Sequence, residues 1–102
     1  MRLTTAQLDI IRTALTQYFG QTTQAWLFGS RADEQRKGGD IDLYLEPELQ
    51  EPAALIDAKL LCLVALHKQL GERKIDLVIR RADYKEELPI FRIAREQGVQ
   101  LL

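Results

Sequence analysis

The sequence predicts an α+β domain in which helices pack on one small sheet of three or four strands. Three observations predict it. Apolar residues recur at helical spacing in three stretches and alternate or cluster at strand length in three others, and the two kinds are interleaved. Glycines fall where most of these stretches stop. The chain of 102 residues is long enough for one core and too short for two, so residues 1–102 read as a single domain.

The elements follow in order. Thr4-Thr5-Ala6-Gln7 has capping-box spacing, with Thr4 as N-cap and Gln7 reaching back. Leu8, Ile11, Leu15 and Tyr18 then share a face, so a helix is expected from about Thr5 to Phe19, stopped by Gly20. Ala25-Trp26-Leu27-Phe28 is a short apolar run ending at Gly29 and reads as a buried strand, with Trp26 and Phe28 in the core. Ser30 to Gln35 has the composition of a short helix capped by Ser30. Asp40-Ile41-Asp42-Leu43-Tyr44-Leu45 alternates strictly, sending Ile41, Leu43 and Leu45 to one face and Asp40, Asp42 and Tyr44 to the other.

Residues Glu46 to Pro52 form a proline-bearing loop, and Ala53 to Leu70 lacks any breaker. Its length and Leu/Ala bias favour a long, largely buried helix ended by Gly71. Lys74 to Ile79 is a third strand with Ile75, Leu77 and Ile79 inward and Asp76 opposite. Leu88-Pro89 opens a last helix, with Ile90, Ile93 and Ala94 expected inward and Gly98 as its stop. The apolar tail from Val99 to Leu102 suits a sheet edge or a partner.

Composition narrows the function. Apolar residues make up 46% and charged residues 28%, as in ordinary globular domains, and the net charge of -1 argues against a dedicated nucleic-acid binder. The pairs Arg36-Lys37, Arg73-Lys74 and Arg80-Arg81 therefore read as solvated surface. The single cysteine, Cys62, forms no internal disulfide and reads as a small buried apolar residue. No stretch has the length of a membrane span or the pattern of a secretion signal, so the cytoplasm is the expected location. His67 reads as a partly exposed helix residue.

One constellation carries chemistry. Gly29-Ser30 stands where a strand gives way, and glycine there lets a ligand approach the backbone. Asp40 and Asp42 are two apart on one strand, so both carboxylates point the same way, and Asp76 comes from another strand with the same in/out pattern. Carboxylates crowded in this way repel one another unless cations occupy the space. Hard oxygen donors with open positions suit Mg²⁺ and substrate phosphates. Tyr44, on the same face, would line an acceptor cleft.

Leu27-Phe28-Gly29-Ser30-Arg31-Ala32, followed by Asp40-Ile41-Asp42-Leu43, resembles the signature of the DNA polymerase β-like nucleotidyltransferase superfamily. More closely, it is similar to the minimal nucleotidyltransferases of prokaryotes. Lys74-Ile75-Asp76-Leu77-Val78 fits that family's third-carboxylate strand, and Ile93 to Val99 its final helix and tail. The resemblance implies a polymerase β palm-like fold with a small mixed sheet. It also implies transfer of AMP from ATP to an acceptor, with two Mg²⁺ ions held by Asp40, Asp42 and Asp76. Gly29 and Ser30 would hold the β- and γ-phosphates, with Arg31 beside them.

Many such proteins are antitoxins paired with a helical HEPN-domain toxin, whose tyrosine is the implied acceptor. The competing expectation is a non-catalytic antitoxin that neutralises its toxin by binding and occlusion. In the loop before Asp40, Asp33-Glu34 and Gly38-Gly39 depart from the family pattern. That departure bears on the acceptor more than on metal binding. No membrane and no direct nucleic-acid partner is expected.

Overall fold

The computed structural model describes residues 3–29, 40–71 and 73–102. Among these, the elements run α1 (Thr5–Phe19), β1 (Gln24–Phe28), β2 (Ile41–Glu46), α2 (Pro52–Leu70), β3 (Ile75–Ile79), α3 (Pro89–Gln97) and β4 (Val99–Gln100). The strands form one mixed sheet in the order β3-β2-β1-β4. β1 is antiparallel to both β2 and β4, while β2 and β3 are parallel. A parallel pair needs a long crossover, and α2 supplies it. The α+β class and the sheet with packed helices are as the sequence predicts. The short helix expected over Ser30 to Gln35 lies outside the described residues, as do Arg36 and Lys37.

α1 begins at the capping box: the Thr4 hydroxyl accepts from the Gln7 amide at 3.1 Å and the Gln7 side chain from the Thr4 amide at 2.9 Å. Leu8, Ile11, Ala14, Leu15 and Phe19 form its buried stripe. α2 starts at Glu51, whose carboxylate accepts from the Ala53 and Ala54 amides, and buries Leu55, Ala58, Cys62, Leu66 and Leu70. Both stripes pack on Leu27, Ile41, Leu43, Leu45, Ile75 and Leu77 to make the main core. Each fully buried aliphatic side chain there contributes about 1.5–3 kcal/mol over the exposed state. Among the described residues no helix is long and apolar enough to cross a membrane.

The opposite sheet face carries a second, smaller core of Trp26, Phe28, Tyr44, Phe91 and Ala94. α3 covers it. Tyr44 is fully buried, with ring centroids 5.4 Å from both Trp26 and Phe91, and its hydroxyl donates to Glu46 Oε2 at 2.7 Å. Trp26 and Phe28 are core residues as expected, but on this second face.

Four expectations need correction. Tyr44 does not line an open cleft, because α3 seals the part of the sheet above it. In α3, Phe91 and Ala94 point inward, whereas Ile90 and Ile93 are exposed. The helix is rotated by its close seat on β1: a Cβ on Gly98 would press into the Ala94 carbonyl and lie 2.7 Å from Leu27 O. Phe91 and Ala94, three residues apart, share the face that meets the sheet, and the extended Gly98 lets the end of the helix come close to β1. α2 is buried along one side only, with Ile56, Leu60, Leu61 and Val64 facing solvent. Finally, the Arg80 side chain is only 16% exposed: it pairs with Glu87 at 3.1 Å and lies 4.8 Å above the Phe91 ring.

The tail is an edge strand. Val99 and Gln100 pair with Leu27 and Trp26, and Leu101 N donates to Ala25 O at 2.7 Å. Arg12 Nε holds the Leu101 carbonyl at 3.0 Å, tying the tail to α1.

Candidate active site

Strand register builds the site. Phe28 is opposite Asp42 across the antiparallel β1–β2 pair, and Asp42 is opposite Asp76 across the parallel β2–β3 pair. Alternation sends Ile41, Leu43, Ile75 and Leu77 into the main core, so Asp42 and Asp76 emerge side by side on the other face. α3 covers the middle of that face through Phe91 and Ala94. Asp76 remains exposed, and Asp42 is half-buried.

Asp42 is the perturbed member of the group. Burial, first, pushes its carboxyl above the ordinary 3.8. The charges of Asp76 and Asp40 push in the same direction, as does a hydrogen bond with Asp76 that favours the protonated acid. Lys74 opposes them weakly. Its ammonium lies 3.9 Å from Asp76 Oδ2, with both side chains more than half exposed. Asp40 is an exposed residue immediately before β2, near enough for its charge to act on Asp42.

Gly29 completes the visible part. It follows β1 directly with φ +74°, a left-handed conformation that glycine adopts without the Cβ penalty. A Cβ there would press into Asp42 Oδ2 and lie 3.2 Å from Asp42 Cγ. The turn and the carboxylate thus occupy adjoining space, and a side chain at position 29 would have to displace the Asp42 carboxylate. Of the residues expected from sequence, Gly29, Asp42 and Asp76 are brought together, with Asp40 at the strand entrance. Ser30 and Arg31 lie outside the described residues. Among the described residues, no three His, Cys, Asp or Glu side chains stand in a group ready-made for a metal ion. The donor set nonetheless suits a hard divalent cation: carboxylate oxygens, crowded together, with like charge to be neutralised.

Sequence reasoning missed a cleft of about 310 Å³ at the far ends of β2 and β3, lined by Glu46, Gln50, Arg80, Arg81, Tyr84 and Arg95. Its arginines already hold acids. Arg80 pairs with Glu87, Arg81 with Asp83 at 2.8 Å, and Arg95 with both Glu87 and Glu46. The charges balance, and the network braces the segment between β3 and α3. The only sequence signal for it was the spacing of basic and acidic residues from Arg80 to Glu87.

No protein-family model matches the chain, and no curated protein matches it closely enough to be reported as a relative.

Proposed function

We propose that the chain is a Mg²⁺-dependent nucleotidyltransferase of the minimal, polymerase β palm-like kind. It transfers AMP from ATP to a protein hydroxyl, a tyrosine of a HEPN-domain toxin, and so acts in the cytoplasm as the antitoxin of a two-component system. The observation that carries the reading is the register that sets Asp42 directly beside Asp76, with Gly29 against Asp42. The resemblance of Leu27–Ala32, Asp40–Leu43 and Lys74–Val78 to the family signature supports it from a separate direction.

Asp40, Asp42 and Asp76 are the residues that would hold Mg²⁺, which supplies charge neutralisation at the phosphates when bound. The chain's own groups divide the remaining work. Gly29, with no side chain, leaves the Asp42 carboxylate its place against the end of β1, where the triphosphate would meet the metal-holding group. Ser30 and Arg31 would contact the β- and γ-phosphates. The acceptor oxygen forms a bond to the α-phosphorus while the bond from that phosphorus to the bridging oxygen breaks. Pyrophosphate leaves, and the hydroxyl proton passes to the Asp76 carboxylate, a step worth about 10²–10⁴ in rate.

Asp42→Asn is the decisive variant, because it keeps the side chain's shape and removes its charge. The expected result is loss of AMP transfer to the partner and loss of protection in cells that produce the toxin. Full protection by Asp42→Asn would instead make the chain a binder that occludes its toxin.

A further inference from the structure

We propose that the solvent-facing side of α2 is a two-fold interface on which a second copy of this chain docks, with the two α2 helices antiparallel. The inference stands apart from the transferase reading, since α2 lies across the sheet from Asp42 and Asp76.

The buried residues of α2, from Leu55 to Leu70, occupy one side of the helix. At about 100° per residue, the side directly opposite carries Ala53, Asp57, Leu60 and Val64, flanked by Ile56 and Leu61. Such a face on a helix packed against a sheet is normally polar. Here Ile56, Leu60, Leu61 and Val64 are 52% to 64% exposed, grouped at the middle of the helix. Charge is confined to the ends of the stripe: Asp57 toward the N-terminus and Lys68 toward the C-terminus.

That distribution is self-complementary in one sense only. With a two-fold axis level with residue 62, Leu60 of one copy meets Val64 of the other, and Asp57 comes within reach of Lys68, next to His67, whose Nε2 is held at Arg73 O, 2.8 Å away. Both sets of contacts occur twice, as an isologous interface requires. A parallel pair would set Asp57 on Asp57 and Lys68 on Lys68. Area agrees with a reversible dimer. The four apolar side chains expose roughly 400 Å², within the range of the largest, often functional, patches on monomers. Two copies match about 800 Å² of such surface, and the stem of Lys68 at the edge adds to it, which places the contact among small, reversible interfaces. The dissociation constant expected is micromolar.

Sedimentation velocity of the full chain, from micromolar to several hundred micromolar, tests this. The parent should pass from one-chain to two-chain mass across that range. Leu60→Lys, a change at an exposed position, should keep the parent's circular dichroism and sediment as a single chain throughout. Asp57→Lys should weaken association by about tenfold or more, and Asp57→Lys with Lys68→Glu should restore it, because the reversed charges again face each other. A parent that stays monomeric at the highest concentration overturns the proposal. So does a dimer that Leu60→Lys leaves intact, or a charge reversal that fails to rescue.

Discussion

Replacing Asp76 with Asn should stabilise the fold while abolishing transfer, because the carboxylate pair is held together at a cost to stability. Asp42 and Asp76 are direct cross-strand partners, where like charges destabilise by up to about 1 kcal/mol. Against this stands the Lys74–Asp76 contact, between side chains 69% and 52% exposed; exposed pairs are worth about 0.2–1 kcal/mol, and one as long as 3.9 Å belongs at the lower end. Repulsion wins by about 0.5 kcal/mol, which raises the melting temperature by roughly 2–4 °C in a domain of this size.

The effect depends on pH with a definite sign. Asp42 has a raised carboxyl pKa in the folded chain, so its stabilising contribution is complete below the ordinary value of 3.8 and is lost as pH rises through the raised one. Burial, the larger cause, persists in the variant, but the Asp76 charge does not. The parent therefore loses more stability than Asp76→Asn over that rise, and the gap between their melting temperatures widens as pH climbs from the ordinary 3.8 through the raised value. Thermal unfolding followed by circular dichroism at stepped pH measures the gap. A variant that melts below the parent at neutral pH, or a gap that does not change with pH, would refute the reasoning.

Three further outcomes are expected. Gly98→Ala should cost about 2–3 kcal/mol in urea unfolding, because the new methyl meets the Ala94 and Leu27 carbonyls, neither of which can rotate away. Gly29→Ala should cost about 1–2 kcal/mol for its left-handed conformation, plus the displacement of Asp42. In an Asp42→Gly background only the conformational part should remain, and a double-mutant cycle reads the difference. Cys62, fully buried and with its thiol pushed up to about 12 by burial, should resist iodoacetamide in the native chain and react once urea unfolds it. Fast native alkylation would mean that α2 opens more readily than its packing implies.

Local signals carried most of the fold. The Thr4–Gln7 capping box fixed the start of α1, and strict alternation fixed which side chains of β2 and β3 face the core. Alternation also made Asp42 and Asp76 legible as outward residues on separate strands. That they belong to one site was expected from the resemblance, but their direct pairing was not legible locally, because parallel pairing through a long helix is a property of the sheet rather than of either segment. The rotation of α3 was misread for a similar reason. Ile90 and Ile93 look like an inward face until Gly98 is seated against Leu27, which only the tertiary contact reveals. The same holds for Tyr44: its place on the carboxylate face was evident, but its cover by Phe91 depends on where α3 lies. In α2, dense apolar content suggested a largely buried helix, yet only one side meets the core.

The central claim is that the carboxylate pair serves AMP transfer to a protein. Intact-mass analysis of the protein encoded beside this chain, after incubation with the chain, ATP and Mg²⁺, tests it most directly. The account predicts a gain of one or more adenylyl groups on that protein, absent when Asp42→Asn replaces the parent. An unchanged mass, with the two proteins still bound to each other, would contradict it.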